Sequence, residues 1–207
     1  MQSNTNQNQM LHIVTRCSRI NNIITVGQSI PVKDDGIQWH IIFDSSVLKD
    51  VSTEILSTLQ RDYNAKLYFE YSQNDYLYTR MNNIILDNIK DGWVYSLDDD
   101  NILHEELFDN FKSHLDFCQR ENLFAMVFNQ DVSYKDWTNL DIRFAKPENM
   151  YVTKIDLAQF ILHRTVFNNF QFEARYDADG RFIERLHENN PDRFLFIDKI
   201  LSYYNYL

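Results

Sequence analysis

The chain of 207 residues is 44% hydrophobic, 14% aromatic and 24% charged, with a formal net charge of −10 and only 4 Gly and 3 Pro. This composition supplies one compact core and excludes disordered, collagen-like and linker-like chains. It also excludes an extended nucleic-acid footprint, which needs clustered Lys and Arg, but leaves room for a nucleotide whose phosphates a metal ion neutralises.

Residues 1–9 are polar and rich in Asn and Gln, without the basic and apolar regions of a signal peptide, and read as a disordered lead-in. Residues 11–15 read as a buried strand and 39–43 as a second, ending at Asp44. Val51, Ile55, Leu56 and Leu59 mark an amphipathic helix over 51–63, and 66–71 is a third strand. Leu77, Met81, Ile84, Ile85 and Ile89 recur at helical spacing, and Asp91-Gly92 ends that helix. Residues 93–97 form a strand that runs straight into Asp98-Asp99-Asp100-Asn101.

A helix over 104–119 places Leu107, Phe111, Leu115 and Cys118 on one face, which makes Cys118 a core residue. Residues 123–128 read as a strand, 130–147 as irregular or hairpin-like, and 151–161 as one or two strands. Short helices follow over 163–170 and 179–189, and the aromatic stretch from Phe194 reads as a last strand or docking segment. Strands alternate with helices, so the fold class is α/β: a mixed, mainly parallel sheet flanked by helices, in a single domain over 10–207.

No window reaches the roughly 18 apolar residues of a membrane span. Cys17 and Cys118 are too few for a disulfide framework. The chain therefore reads as soluble, reduced and cytoplasmic.

In open α/β sheets ligands bind beyond the carboxyl ends of the strands, which is where Asp44 and the Asp98–Asp100 run fall. A DxD pair is a weak signal in a chain this rich in Asp, and Asp177/Asp179 makes a second one. The first pair differs in following an apolar strand directly. Three adjacent carboxylates repel, and a divalent cation such as Mn²⁺ or Mg²⁺ compensates them. The competing reading is an acidic cap on the helix that starts near His104.

Larger blocks decide for a family. LHIVTR at 11–16, IIFDSS at 41–46, TRMNNIIL at 79–86 and GWVYSLDDDN at 92–101 together resemble the GT-A-fold glycosyltransferases that use nucleotide sugars, especially small family 2-like members. The ordered block from Arg80 to Asp100 is more specific than any motif inside it. The resemblance implies a metal-dependent glycosyltransferase that moves a sugar from a nucleoside-diphosphate donor, UDP-linked by preference, to a hydroxyl of a glycan or other acceptor, with inversion. Residues 10–101 would form the donor half and 102–207 the acceptor half.

By the same resemblance, Thr15 and Arg16 contribute to the nucleotide pocket, and Asp44 accepts a hydrogen bond from the base. Arg80 reaches the nucleotide or its phosphates, Asp98 contacts ribose or donor sugar and shares the metal with Asp100, and Asp99 supports the site. The YDADGRFI stretch at 176–183 is similar to the family's acidic loop. It offers Asp179 as catalytic base with Asp177 next, although Ala178-Asp179 stands where the family has Glu-Asp. Asp179 could equally cap the following helix.

The remaining residues point elsewhere. His187 stands where some GT-A enzymes supply a metal ligand but reads as a surface residue. His163 either faces the acceptor cleft or begins a helix, and His12 is a satisfied strand residue. No His-Glu-x-x-His or deaminase-type zinc spacing occurs, so His104 has no such role. Trp39 and Trp93 read as core, and Trp137 as the candidate for stacking on a sugar. Two alternatives stay open. A sugar nucleotidyltransferase would want a Gly-rich loop where this chain has Thr15-Arg16-Cys17-Ser18-Arg19, and the other is a GT-A-like module that binds nucleotide and metal without catalysis.

Overall fold

The computed structural model describes residues 9–70, 77–133, 141–175 and 177–207. Trp137 lies outside the described residues. The elements run β1 (Leu11–Cys17), α1 (Ile23–Ser29), β2 (Ile37–Phe43), α2 (Thr53–Tyr63), β3 (Lys66–Phe69), α3 (Leu77–Asn88) and β4 (Trp93–Ser96). They continue with α4 (Leu107–Arg120), β5 (Ala125–Asp131), β6 (Ile142–Arg143), β7 (Phe160–His163), α5 (Ala178–Asn189) and β8 (Phe194–Tyr203). One sheet holds all the strands in the order β3-β2-β1-β4-β7-β5-β6, and β8 pairs with β5. The first four pair in parallel, β7 is antiparallel to β4 and β5, and β8 is parallel to β5.

Neighbouring residues on a strand feed opposite faces. Ile13, Trp39, Ile41 and Tyr95 pack with α1, α2 and α4, while Val14, Ile42 and Val94 pack with α3 and α5. A sheet covered on both faces explains why its central strands read as continuous apolar runs rather than alternating ones. Cys118 and Trp39 belong to the first core and are essentially solvent-free, as the sequence implied.

Local chemistry sets the helix ends that shape the site. Ser52 caps α2 by accepting from the Ile55 amide, and Asn64 closes it in the left-handed conformation (φ 47°). The end of α3 is held by buried Arg164, which donates to the carbonyls of Ile85, Ile89 and Leu86. Gly92, at φ 92°, then turns the chain into β4, a geometry that suits glycine. Asn82, within the TRMNNIIL block at 79–86, clamps α3 to the segment before α5. Its amide donates to the Phe172 carbonyl at 2.8 Å, and its carbonyl accepts from the Phe172 amide at 3.0 Å.

The sequence reading missed α1, a short helix without a charged face that forms because Ile23 and Val26 enter the core. It began α4 too early. The helix starts at Leu107 with Glu106 at the cap position, so the acidic triplet does not cap it. The expected helix over 163–170 is a 3-10 segment, Arg164–Asn168.

His12 and His40 form a buried pair, Nδ1 to Nε2 at 3.0 Å, and the other nitrogen of His40 meets the Tyr68 hydroxyl at 3.0 Å. Burial, with Lys66 near both rings, lowers His12 to about 4; burial and the neighbouring His12 lower His40 to about 3. Both rings stay neutral in the folded chain and take up protons on unfolding. Stability is then full above about pH 6.5 and falls progressively as pH drops towards 4. Urea unfolding at pH 7.5 and pH 5.0 is expected to show a lower midpoint at pH 5.0, with the difference reduced in a His12→Gln/His40→Gln double variant.

Candidate functional site

Because β1, β2 and β4 are parallel, their carboxyl ends share one edge of the sheet. Arg16 and Cys17 end β1 at that edge, and the loops leaving it carry Ser18 and Arg19, Asp44, and Asp98 to Asn101. The backbone ties them together: the Asp44 amide donates to the Cys17 carbonyl and the Leu97 amide to the Val14 carbonyl.

The three acids of the triplet have distinct surroundings. Asp98 accepts from Arg16 Nη2 at 2.6 Å. Asp99 is 2% exposed and accepts from the Ser18 amide (2.6 Å), the Ser18 hydroxyl (3.1 Å), the Arg19 amide (2.5 Å) and Arg19 Nη1 (2.7 Å). It is the anchor of the β1–α1 loop. Asp100 faces the cleft, 3.1 Å from Arg19 Nη1. Burial and the like charges of Asp98 and Asp99 raise its carboxyl above the usual range, with Arg19 opposing them.

Along the same edge, buried Arg80 lies 3.8 Å from Asp44 and 3.6 Å from Glu70. Thr15 departs from expectation. It is fully buried, and its hydroxyl accepts from the Trp39 indole at 2.9 Å, so its side chain serves the core and leaves only backbone near the pocket.

A cleft of about 350 Å³ opens beside the triplet and joins the two halves of the chain. Asp98, Asp100 and Asn101 from the donor edge line it together with Arg143, Asp156, Asp177 and Asp179 from the second half of the chain. Tyr204 and Asn205 of the tail also line it. Leu207 donates its amide to the Asp100 carbonyl, and Tyr206 donates to the Asn101 side chain.

The two candidate bases differ. Asp179 sits in the first turn of α5, and burial, then the charges of Asp156 and Asp98, push its carboxyl up to about 6. A carboxyl tuned there takes up and releases a proton near neutrality. Asp177, at the cap position of α5 but without a capping bond, is gripped by Arg175 and by Arg181 Nε at 2.8 Å. Burial works to raise it, and those hydrogen bonds outweigh burial and hold it low. Gly180 lets α5 approach the opposite loop, since a Cβ there would stand 2.8 Å from Val152 Cα.

Asp156 went unnoticed in the sequence because it has no motif around it. It reaches the cleft as the cap of a 3-10 turn, accepting from the Ala158 amide and lying 3.4 Å from Arg143, and burial raises its carboxyl. The histidines stay outside the cleft. His163 lies beside Trp93 at the opposite end of β4, where it opens the 3-10 segment. His187 stands edge-on to Phe194 and Phe196, and His104 stacks on Tyr203.

Among the described residues, no group of three or more His, Cys, Asp and Glu is arranged to hold a metal ion. Asp98 and Asp100 supply carboxylate oxygens to the cleft. Mg²⁺ and ions like it commonly take one or two carboxylates and complete their shell with substrate phosphates and water. The donor set therefore fits an ion that arrives with a diphosphate.

No protein-family model matches the chain, and no curated protein does. Solved structures do. The S. aureus TarS 1–349 structure superposes with a TM-score of 0.65 at 14% identity, covering 94% of this chain and 60% of that one. The chain has the GT-A fold. A TarS 1–349 structure in complex with UDP-GlcNAc gives a TM-score of 0.64 at 14% identity, over 94% of this chain and 58% of the other. The mannosyltransferase PcManGT from Pyrobaculum calidifontis, in complex with GDP-Man and Mn²⁺, gives 0.60 at 13%, over 94% and 56%. The GT-A chain described here thus spans about 60% of the length of the TarS 1–349 structure. Among its described residues, no helix is long and apolar enough to cross a membrane.

Proposed function

We propose that this protein is a metal-dependent, inverting glycosyltransferase that moves a sugar from a nucleoside diphosphate, UDP by preference, to a hydroxyl acceptor. The observation that carries the proposal is the cleft itself. Asp98 and Asp100, which follow β4, line it together with Asp179, a carboxyl pushed up to about 6. The GT-A fold supports it, because TarS is solved with UDP-GlcNAc and PcManGT with GDP-Man and Mn²⁺.

In this reading residues 10–101 hold the donor and 102–207 the acceptor. Asp44, with Arg80 behind it, receives the base, and Arg16 steadies Asp98 against ribose or donor sugar. A divalent cation held by Asp98 and Asp100 would supply positive charge to the leaving diphosphate. Asp179 takes the proton of the acceptor hydroxyl as its oxygen bonds to the anomeric carbon. The bond from that carbon to the diphosphate oxygen breaks on the opposite face, which inverts the centre. Asp177, held ionised between two arginines, is the weaker base and orders the start of α5 instead.

Calorimetric titration with a panel of nucleoside diphosphates, in Mn²⁺ and in EDTA, tests the donor half. Binding of UDP is expected in Mn²⁺, falling at least tenfold in EDTA and in Asp100→Ala. Binding unaffected by both treatments would remove the metal-diphosphate reading. Transfer from a UDP-sugar panel then separates the enzyme from a non-catalytic module, which would bind UDP without turnover.

A further inference from the structure

The β1–α1 loop brings one more cation to the donor edge than the proposed reaction uses. Arg19 Nη1 bridges Asp99 Oδ1 at 2.7 Å and Asp100 Oδ2 at 3.1 Å, yet its side chain is 54% exposed. Asp99 does not depend on that guanidinium, because the Ser18 amide and hydroxyl and the Arg19 amide already donate to it. Arg16 is different, being 15% exposed and committed to Asp98 at 2.6 Å. Arg19 is thus a solvent-facing charge on a long stem, resting on the carboxylate best placed to hold a metal ion. It lines the same hollow as Arg16, Ser18 and the triplet.

A guanidinium and a divalent ion cannot both occupy Asp100 Oδ2, since both are positive and seek the same lone pairs. A guanidinium released from a carboxylate is well suited to phosphate, whose oxygens match its planar fork. We propose that Arg19 is a diphosphate-binding residue that rests on Asp100 in the free protein and moves to the donor's diphosphate when a metal ion claims Asp100. The proposal rests on the donor-site reading above and extends it. Arg19 fills the cation's place until the donor arrives, so the acidic triplet stays neutralised in both states, and metal binding without nucleotide is disfavoured.

The test uses Mn²⁺ alone, UDP and uridine as probes on wild type, Arg19→Gln and Arg19→Lys, with melting temperatures recorded for each. Free Mn²⁺ is followed by electron paramagnetic resonance. Removing an exposed competing ion pair is expected to tighten Mn²⁺ binding about two- to fivefold in Arg19→Gln. In the presence of Mn²⁺ the same variant is expected to bind UDP roughly tenfold more weakly, as for the loss of one charge-assisted contact, and uridine unchanged. Arg19→Lys, which keeps the charge but not the fork, should fall between.

Unchanged or weaker Mn²⁺ binding in Arg19→Gln overturns the proposal. So does an equal loss for UDP and uridine, which would make Arg19 a support of the loop. A wild type that binds neither Mn²⁺ nor UDP refutes the donor-site reading itself.

Discussion

Asp179→Asn is expected to lower the rate of sugar transfer by about 10²–10⁴-fold, the range a general base supplies, while UDP binding in Mn²⁺ stays within about twofold. The substitution keeps the shape of the side chain and removes its ability to take a proton, so a loss confined to turnover separates base from binding residue. Wild-type turnover should also rise with pH through about 6 and level off above 7, because only the ionised carboxylate accepts the hydroxyl proton. Asp177→Asn should have a smaller effect, since Asp177 is ion-paired to Arg175 and Arg181. Activity retained in Asp179→Asn would remove it as the base and turn attention to Asp156, the other carboxylate with a raised pKa that the second half of the chain brings to the cleft.

The second large effect belongs to Asp99. Its carboxylate gathers the Ser18 amide and hydroxyl and the Arg19 amide while buried, and its carbonyl accepts from the Asn22 side chain. Asp99→Ala keeps the carbonyl that Asn22 donates to but leaves the Ser18 and Arg19 donors facing a void. A buried donor left unsatisfied costs about 1–3 kcal/mol, so the loss of acceptor for several of them comes to about 3–5 kcal/mol. In a chain of this size that corresponds to a fall in melting temperature of roughly 6–20 °C.

Nucleotide binding should go with it, because the loop anchored by Asp99 carries Arg19 and leaves the strand end that carries Arg16. Asp100→Ala, whose side chain faces the cleft, should instead lose metal-dependent binding with little change in melting temperature. Thermal scans of the two variants distinguish these outcomes. A normal melting temperature in Asp99→Ala would show that the loop is held from elsewhere, by the Asp44–Cys17 backbone bond for instance.

The candidate site was unequally legible in the chain. The acids at the end of β4 were legible because an apolar strand leading straight into a carboxylate run places that run at the sheet edge, whatever the packing around it. Asp44 was legible for the same reason. The division of labour inside the triplet was not, because whether an acid faces a loop or a cleft depends on what lies across from it. Ser18 and Arg19 lie about eighty positions away in sequence. Thr15 was misjudged on the same ground, its hydroxyl being taken by Trp39 from the neighbouring strand.

Two other carboxylates gave weaker signals. Asp156 sits in a 3-10 turn with no repeating pattern, and Glu70 follows a four-residue strand. Neither carries a local mark of function. Each joins the donor edge or the cleft only when the sheet brings β2, β3, β4 and the segment before β7 together.

What the sequence determined by itself was the α/β alternation, the apolar strands, most helix spans and the acidic run at a strand end. These follow from the period of the apolar pattern and from turn residues, both local properties of the chain. The tertiary structure alone decided the order of the strands, the set of residues that line the cleft and the contrast between a lowered Asp177 and a raised Asp179. It also set the ion pairs of the β1–α1 loop. Those depend on burial and on charges brought together from distant positions, and a carboxylate's proton affinity is fixed by its neighbours in space.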